Sequence, residues 1–495
     1  MSELQRFYNV IGGEARPAAE GGWLETVNPY TGLAWAEIPR GTARDAEAAV
    51  EAAYAAFETG PWSTMTATQR GKLLRRLGDL IARDADKLAR IETRDNGKLL
   101  AEMRGQVAYI PEWFHYFGGL ADKIEGGVLP SDKPDVFTYT KREPLGVVVA
   151  ITPWNSPLML LTWKLAPALA AGNTIVIKPS EFTSCSTLAL MELVREAGFP
   201  DGVVNAVTGL GAEIGSSLVE HPKVAKVAFT GGDQTGAAVY ASAAREIKHV
   251  TLELGGKSAN IIFEDADLDA AVNGAISGIF AASGQTCIAG SRLLVQRSIY
   301  DEVTRRVVEM ARSARLGDPS DLETQVGPIT TQLQRQKVID YIQVARDDGA
   351  ECLLGGKTPD DPALADGWFV EPTIFGEVNN QMRIAREEVF GPVLAILPFE
   401  DEAEAVAIAN DSIYGLAAGV WTQDMRRAFR MSDRLKAGTV WVNTYRAVSF
   451  MAPFGGYKKS GVGRENGQHA IEEYLQTKSV WINLAEGSPN PFVLR

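Results

Sequence analysis

Three polar residues in separate segments carry the side chains that covalent chemistry on a carbonyl group requires. Cys287 lies between Gly284 and Gly290, and Glu253 comes earlier in the chain, just before a glycine pair. A thiol with an ordinary pKa of about 8.5 is mostly protonated at neutral pH, so a nucleophilic cysteine needs a proton acceptor or a cationic niche. Asn155 follows an apolar run and offers an amide N–H to an oxygen that becomes negative during attack. We therefore predict a nucleophile, a base and an oxyanion donor.

The residues by themselves leave a structural role open for each of the three. A lone cysteine is more often a small buried hydrophobic residue than a nucleophile. Glu253, between two leucines, is also suited to a buried structural ion pair, and Asn155 to a helix cap. Cys185 and Cys352 have no comparable glycine frame, and we predict that both are structural.

These segments, in this order, resemble the NAD(P)-dependent aldehyde dehydrogenase superfamily. Further segments of that pattern cover nearly the whole chain, and they are Thr174–Glu181, Phe229–Gly232, Glu387–Pro392 and Pro453–Lys458. The resemblance implies oxidation of an aldehyde to the acid through a thioester on Cys287. It also implies the hydrolytic, non-acylating type, because CoA-acylating members lack a glutamate at the position of Glu253.

The resemblance assigns roles residue by residue. Cys287 matches the nucleophile, Glu253 the base for the thiol or for water, and Asn155, with the backbone N–H of Cys287, the oxyanion hole. Lys178 is grouped with these catalytic residues and with those that hold the adenosine ribose. The expected cofactor residues are Ile151, Thr152, Pro153, Trp154, Lys178, Ser180, Glu181, Gly211, Phe229, Thr230, Gly231, Gly232, Leu254, Gly255, Glu388 and Phe390.

NAD is the expected cofactor. Glu181 would accept hydrogen bonds from free ribose hydroxyls and repel a 2′-phosphate, whereas nearby Lys178 weakens that repulsion and leaves NADP possible. The chain has Gly232 where the family often has serine, so a hydroxyl to the pyrophosphate is missing and a backbone N–H at the following helix start is its expected substitute. The run Gly209–Gly215 is one residue too long for the common dinucleotide fingerprint and is weak as a lone signal.

The substrate side is expected to have apolar walls and some small residues. By resemblance it is lined by Ser156, Met159, Trp163, Ala281, Thr286, Ile288, Arg446, Val448, Phe450 and Phe454. This set favours a medium or bulky hydrophobic or aromatic aldehyde. Arg446 supplies the alternative of a semialdehyde whose carboxylate it pairs, although a surface position is the more common one for arginine.

Composition limits the class of protein. The 495 residues are 45% hydrophobic and 22% charged, an ordinary globular balance, and the net charge of −13 disfavours nucleic acid or an anionic membrane as partner. Three cysteines, the absence of a basic and apolar leader, and no apolar run of about 20 residues indicate a reducing compartment, with the cytoplasm as the default. The four histidines, His115, His221, His249 and His469, lack ligand spacing, so no metal site is expected.

Alternation of β-branched runs with helical segments predicts an α/β protein with a doubly wound, Rossmann-like cofactor domain and a second α/β catalytic domain. The expected cofactor domain is 1–124 and 145–255, and the catalytic domain is 256–459. Segments 125–144 and 460–495 form the expected small β oligomerisation element and the C-terminal tail, whose Pro, Gly and Ser content suggests an extension from 484 on. Residues 1–40 are expected to form small hairpins, and 67–95 one long helix.

By resemblance, the strands near 135–144 and 479–482 pair across subunits and imply a homodimer or homotetramer. A non-catalytic structural or binding protein on the same fold is the alternative from another class. Such a protein is expected to have lost some of the catalytic and cofactor residues. In this chain they are all present: Cys287, Glu253, Asn155, Lys178 and Glu388.

Overall fold

A computed structural model describes residues 4–487, 490 and 492–493 of the chain. The strands are β1 (Gln5–Arg6), β2 (Asn9–Ile11), β3 (Glu14–Arg16), β4 (Trp23–Asn28), β5 (Leu33–Pro39), β6 (Val128–Leu129), β7 (Val136–Pro144), β8 (Val147–Ile151), β9 (Thr174–Lys178), β10 (Val204–Ala206), β11 (Val224–Thr230), β12 (His249–Glu253), β13 (Ala259–Ile262), β14 (Arg292–Gln296), β15 (Glu351–Leu354), β16 (Thr373–Gly376), β17 (Val393–Phe399), β18 (Tyr414–Gly415), β19 (Ala417–Trp421), β20 (Thr439–Val442), β21 (Tyr457–Lys458), β22 (Gly461–Val462) and β23 (Leu475–Asn483).

The α-helices lie mainly between the strands of the two large sheets. They are α1 (Ala43–Glu58), α2 (Ala67–Arg83), α3 (Ala85–Asn96), α4 (Leu100–Tyr109), α5 (Pro111–Leu120), α6 (Pro157–Ala171), α7 (Cys185–Ala197), α8 (Gly211–Val219), α9 (Asp233–Arg245), α10 (Leu268–Phe280), α11 (Tyr300–Arg312), α12 (Gln332–Asp347), α13 (Arg383–Arg386), α14 (Glu402–Asn410) and α15 (Met425–Arg434). Among the described residues, no helix combines the length and the apolar character that crossing a membrane requires.

The first large sheet has the order β22-β12-β11-β8-β9-β10-β2-β3. Strands β12, β11, β8, β9 and β10 run parallel, whereas β22, β2 and β3 are antiparallel additions at the edges. The central strands are buried on both faces, which explains their continuous Val, Ile and Ala runs. This is the predicted doubly wound arrangement.

The second sheet has the order β15-β16-β17-β14-β13-β19-β20, with only β15 antiparallel. Its central strands β13, β14 and β17 are also buried, and they belong to the predicted catalytic segment. The domain boundaries themselves stay a prediction. The predicted bridging segment does contribute one strand to the first sheet, since β22 pairs with β12.

The small third sheet consists of β6, β7 and β23. The long strands β7 and β23 pair antiparallel with each other along their whole length, from Leu475 opposite Pro144 to Asn483 opposite Val136. The two strands that were expected to pair across subunits therefore pair within one chain. Of the predicted C-terminal tail, residues 488, 489, 491, 494 and 495 lie outside the described residues.

Of three local predictions, one was wrong. The long helix expected over 67–95 is divided at Asp84 into α2 and α3, because Asp84 leaves the helical region with φ −99° and ψ 13° and its carbonyl oxygen starts the next helix. The small hairpins predicted for residues 1–40 are present as β2–β3 and β4–β5, and the first of them also extends the first large sheet beside β10. The predicted capping pair of Thr42 and Asp45 is present at the start of α1.

Candidate functional site

Four predicted segments lie at the carboxyl ends of neighbouring parallel strands. The segment from Ile151 follows β8, that from Lys178 follows β9, that from Thr230 follows β11, and Glu253 ends β12. In open parallel sheets the crevice at these ends is where ligands bind, because the loops diverge there and helix N-termini point into it. The strand order β12-β11-β8-β9 therefore brings residues from distant positions in the sequence to one edge.

The second sheet supplies the opposite side of the site. Cys287 lies in the loop that leads into β14, and Glu388 and Phe390 lie in the loop that leads into its neighbour β17. The two loops pack closely, since a Cβ on Gly284 would lie 2.0 Å from the carbonyl oxygen of Gly391. Glycine is required at this approach, and its φ of 71° favours glycine as well.

The backbone before Cys287 is unusual. Ala282 and Ser283 have φ angles of 54° and 53°, in the left-handed region that costs energy for residues with a Cβ. The amide of Ala282 donates to Glu102 Oε1 at 2.9 Å, and the Ser283 hydroxyl donates to the carbonyl oxygen of Gly327 at 2.7 Å. These bonds hold the turn that presents Cys287.

The three residues predicted for carbonyl chemistry line one cavity. It has a volume of about 620 Å³ and is lined by Asn155, Glu253 and Cys287 together with Glu388 and Phe390. The Asn155 side-chain N–H donates to the carbonyl oxygen of Gln285 at 2.9 Å, which orients the amide toward the cysteine loop. One N–H of that amide remains for a ligand oxygen.

Burial keeps the Cys287 thiol protonated. It raises the pKa of Cys287 to about 12, and the negative charges of Glu388 and Glu253 act in the same direction. The backbone N–H groups of Cys287 and Ile288 lower that pKa by stabilising the sulfur as a thiolate. The cysteine therefore needs a proton acceptor before it can attack.

Glu253 is a buried carboxyl group without a hydrogen-bond partner among the described residues. Burial raises the pKa of Glu253 well above its ordinary value, and the charge of Glu465 raises it further. The positive charges of Lys164 and Arg464 lower it. An unpaired carboxyl group whose pKa is displaced upward is the state that a general base at neutral pH requires.

Lys164 and Glu465 form a fully buried ion pair close to Glu253. The Lys164 ammonium also donates to the hydroxyl of Thr230 at 2.6 Å, at the end of β11. The charges of this pair act on Glu253 in opposite directions, and the pair was not predicted from the sequence. The sequence indicates this pair only weakly. Lys164 is unusual in the otherwise apolar helix α6, but it is notable only because that helix is buried on all sides, which the sequence does not show.

A second cavity adjoins the first and shares five lining residues with it, which are Pro153, Trp154, Thr230, Gly231 and Gly232. It has a volume of about 1240 Å³ and extends past Ile151, Thr152, Lys178, Ser180 and Glu181 to helices α8 and α9. Gly211 and Phe229 line it as well, so the weak glycine run after β10 does reach this groove. Two joined cavities suit an elongated ligand such as a dinucleotide.

Lys178 lines this second cavity and not the cavity that contains Cys287. Its ammonium lies 3.2 Å from Glu181 Oε2, so the two residues predicted at the ribose do meet. The structure thus groups Lys178 with the predicted cofactor residues rather than with the predicted catalytic ones.

Glu388 lies against the glycine pair that follows Glu253. It accepts a hydrogen bond from the backbone N–H of Gly256 at 2.8 Å, and a Cβ on Gly255 would lie 2.5 Å from its Oε2. Burial raises the pKa of Glu388 to about 7. Leu254 and Gly255 line the first cavity, as do Gln334 and Lys337 on α12, which the sequence analysis missed because no local motif marks them.

The predicted substrate residues divide into an apolar set and a polar set. Met159, Trp163, Ile288 and Phe454 are buried, and Val448 and Phe450 pack against the same core. Trp163 contacts Phe454 with ring centres 5.0 Å apart. Three further aromatic residues of α4 and α5 complete this wall, and they are Tyr109, Trp113 and Tyr116.

The other predicted substrate residues are Ser156, Thr286, Ala281 and Arg446. Ser156 is buried and accepts a hydrogen bond from Lys98, Thr286 has a buried hydroxyl without a partner among the described residues, and Ala281 is half-buried. Arg446 is half-buried rather than on the open surface, and its charge interacts with Cys287. Arg446 therefore does not have the exposed surface position that is more common for arginine.

One group outside this site brings metal-ligand atoms together within the described residues. Atoms of Glu47, Glu51 and His221 lie within 4.8 Å of one another. Lys223 Nζ lies 2.6 Å from both Glu51 oxygens, and the Lys223 backbone N–H donates to His221 Nδ1. These bonds account for the group as an ion-pair cluster.

Comparison with known proteins places the chain in a family. The pattern of the Aldehyde dehydrogenase family matches residues 16–480. The chain belongs to the aldehyde dehydrogenase family. This aldehyde dehydrogenase is 46% identical to (Z)-2-((N-methylformamido)methylene)-5-hydroxybutyrolactone dehydrogenase of Acinetobacter baylyi, over 99% of this chain and 100% of that one.

Two further similarities concern betaine aldehyde dehydrogenases. The chain is 44% identical to that of Bacillus subtilis, over 94% of this chain and 95% of that one. A crystal structure of the Staphylococcus aureus enzyme in complex with NAD⁺ superposes with a TM-score of 0.97 at 44% identity, covering 98% of this chain and 97% of that one. The predicted fold class is therefore confirmed.

Proposed function

We propose that this aldehyde dehydrogenase oxidises an aldehyde to the carboxylic acid with reduction of NAD. The observation that carries the proposal is the convergence of Cys287, Glu253 and Asn155 on one cavity, next to Glu388 and Phe390. A nucleophile, a base and an oxyanion donor within one enclosed site are the parts that acyl transfer requires.

The reaction begins at the thiol. Glu253 takes the proton of Cys287, directly or through water. The sulfur then forms a bond to the aldehyde carbon, and the aldehyde oxygen becomes negative. Asn155 and the backbone N–H of Cys287 stabilise that oxygen. NAD, when bound, supplies the hydride acceptor for the oxidation.

A thioester on Cys287 remains after the carbon has lost its hydride. Glu253 first passes the proton that it took from Cys287 to solvent and is again a carboxylate. It then takes a proton from water, the hydroxyl adds to the thioester carbon, and the C–S bond breaks to release the acid and the Cys287 thiolate, which takes the proton back from Glu253. Burial of Glu253 supports this role, because a carboxyl group of ordinary pKa is a weak base at neutral pH.

The residues of the second cavity suit NAD. The groove is long, Glu181 and Lys178 lie together near the end of β9, and the N-terminus of α9 begins at Gly232 without a side-chain cap. Helix N-termini with free N–H groups bind phosphate, so α9 would hold the pyrophosphate. The carboxylate of Glu181 favours NAD over a cofactor with a 2′-phosphate, and NADP remains the alternative. The relative from Staphylococcus aureus binds NAD⁺.

We infer that the substrate has a medium or bulky apolar body, aromatic or aliphatic. The wall formed by Trp163, Phe450 and Phe454 supports this inference. The second candidate is a semialdehyde, and the half-buried position of Arg446 near Cys287 supports it.

We also propose that the protein is a homo-oligomer, a dimer or a tetramer. Among the described residues, the long edge strand β23 and the short β6 each have one side without a strand partner, and the sheet that they form with β7 is largely exposed. Exposed strand edges of this kind are commonly covered by a partner.

The function is tested by NADH absorbance with a panel of aliphatic, aromatic and carboxylate-bearing aldehydes. Wild type should reduce NAD without CoA, and Cys287→Ala should lower the rate by about 10⁴-fold or more, because the covalent step is lost. NADP in place of NAD tests the cofactor preference. Turnover only with CoA, or with no aldehyde of the panel, would contradict the proposal.

Iodoacetamide labelling separates the enzyme from a binding protein on the same fold. Cys287 lines a cavity together with Glu253, which can take its proton, whereas Cys185 is fully buried. We expect Cys287 to be labelled faster than Cys185 and Cys352. Equally slow labelling of all three would favour the non-catalytic alternative.

A further inference from the structure

Lys98 places a buried cation next to the predicted oxyanion donor. Its side chain is 4% exposed, and its ammonium donates to the hydroxyl of Ser156 at 2.6 Å. The preceding Gly97 has a φ of 77°, and a Cβ there would lie 2.8 Å from Pro328 Cγ. This turn at the end of α3 sends Lys98 inward, to the residue that follows Asn155.

Arg446 brings a second cation to the same region. Its φ of 66° lies in the left-handed region, which costs energy for an arginine. One terminal nitrogen donates to the carbonyl oxygen of Ser277 at 3.0 Å, the only hydrogen bond that its side chain makes with a described residue. Other donors of the guanidinium remain for a ligand. The charges of Arg446 and Lys98 repel each other, and both interact with Cys287.

The anionic groups nearby do not balance the two cations. Glu102 attracts both, and its Oε1 already accepts from the backbone N–H of Ala282. Glu92 accepts from the backbone N–H of Leu158 at 2.8 Å, and burial raises the pKa of Glu92 to about 7, so it is only partly ionised at neutral pH. The two cations thus face carboxylates that each already hold a backbone N–H, and a further anion would be attracted to the region.

Unsatisfied polar atoms mark the same place as a ligand site. Oε2 of Glu102, Oε1 of Gln106 and the hydroxyl of Thr286 are buried and lack a partner among the described residues. The side-chain nitrogen of Gln106 lies 3.5 Å from the hydroxyl oxygen of Ser156, and Thr286 directly precedes Cys287 in the sequence. The Thr286 hydroxyl can donate to an anion, whereas Glu102 Oε2 and Gln106 Oε1 only accept hydrogen bonds and require water or another donor.

We propose that Lys98, held by Ser156, and Arg446 form an anion subsite, and that the substrate is an aldehyde with a carboxylate on its distal part. The aromatic wall of Trp163, Phe450 and Phe454 contacts the body of that substrate. The proposal rests on the proposed function and goes further by naming the substrate class and Lys98 as a residue that determines specificity.

The same charges disfavour a cationic aldehyde. A quaternary ammonium group in this subsite would face two like charges in a poorly hydrated environment, where their repulsion is strong. The chain is similar to betaine aldehyde dehydrogenases in sequence and fold. The proposal therefore predicts a substrate preference opposite in charge to the one that those names suggest.

The test compares matched aldehydes with the full-length enzyme at saturating NAD. 4-Carboxybenzaldehyde and 4-formylbenzamide have nearly the same shape and differ in charge, and betaine aldehyde and 3,3-dimethylbutanal form the corresponding cationic pair. Succinic semialdehyde and pentanal add a shorter, aliphatic pair. We expect wild type to have the higher kcat/KM for the carboxylate in at least one pair and the lower kcat/KM for the cation.

Variants show whether the two cations cause this preference. Lys98→Met and Arg446→Met should each lower kcat/KM for the preferred carboxylate by roughly 30-fold or more, mainly through KM, and lower that of its neutral partner much less. Lys226→Met is the matched control, because Lys226 is also a fully buried lysine but lies beside Glu473 and Tyr474. Its ratio of carboxylate to neutral turnover should equal that of wild type. If Lys98→Met does not fold, the same comparison of kcat/KM for charged and neutral aldehydes is made with Arg446→Met alone.

The contradicting outcomes are distinct. Turnover of aldehydes without a charge preference would overturn the anion subsite and leave the proposed function intact. Equal losses for charged and neutral aldehydes in both variants, with slower iodoacetamide labelling of Cys287, would assign the cations to the thiolate instead and also overturn the proposal. No turnover of any aldehyde by wild type would remove the proposed function and the inference together.

Discussion

At the scale of single residues, the charges around Glu253 decide at which pH it can act as a base. Burial raises the pKa of Glu253. Among the charged neighbours that raise this pKa further, Glu465 has the largest effect. Glu253 must be ionised to accept a proton, so activity should rise with pH through its pKa. The buried Lys164–Glu465 pair therefore acts on the chemistry through electrostatics, without contact with the substrate.

Glu465→Gln should shift the acid limb of the pH dependence of kcat/KM to lower pH. The variant removes a negative charge near Glu253 and leaves the positive charge of Lys164, and both changes favour the ionised carboxylate. Glu473→Gln provides a graded comparison, because Glu473 raises the pKa of Glu253 less than Glu465 does. An unchanged limb, or a shift to higher pH in Glu465→Gln, would contradict this account.

At the scale of elements, the N-terminus of α9 has a glycine in the cap position. Gly232 is the residue before the helix, with φ −69° and ψ 150°, and a Cβ there would meet no atom within 4 Å. Neither backbone conformation nor space therefore requires a glycine. Serine is a preferred residue at this position of a helix, and residue 232 lines both cavities of the site.

Gly232→Ser should lower the KM for NAD by about tenfold, the effect of one added hydrogen bond to a charged phosphate. The kcat should change little, because the added contact is remote from Cys287. Gly119→Ser is the control, since Gly119 in α5 also has open space and does not line either cavity of the site. Steady-state kinetics with varied NAD measure both variants. A raised KM in Gly232→Ser would show that the backbone alone holds the pyrophosphate better.

At the scale of the whole molecule, the third sheet presents apolar side chains to solvent. Phe137 lies opposite Ile482 and Tyr139 opposite Val480, so these four residues share one face of the β7–β23 pair. Both Phe137 and Ile482 are exposed. An apolar face of this kind on a long two-stranded ribbon is typical of a protein interface.

Ile482→Glu should lower the molar mass of the protein in solution to that of a smaller assembly, because it places a charge on the exposed apolar face of the β7–β23 pair. Ser479→Glu is the matched control, since Ser479 is exposed on the same strand but points to the opposite face. Size-exclusion chromatography with light scattering gives the mass. A monomeric wild type, or an unchanged mass for Ile482→Glu, would count against the oligomer.

The sequence alone determined the parts of this protein that depend on local patterns. Continuous β-branched runs predicted β8 and β9, and short apolar runs predicted β13 and β14, because a strand buried on both faces has no polar alternation. The motifs around Cys287, Glu253 and Asn155 predicted the family, which the comparison confirmed. These features lie within short segments, so no knowledge of distant contacts was needed.

Tertiary structure decided what depends on residues far apart in the chain. Strand order brought Glu253 into a buried position beside Lys164 and Glu465, and no pattern near position 253 contains that ion pair. The turn at Gly97 and the left-handed Arg446 placed two cations beside the predicted site from opposite ends of the chain. The pKa of a buried group and the charge of a pocket are sums over such distant neighbours, and only the folded chain defines which neighbours those are.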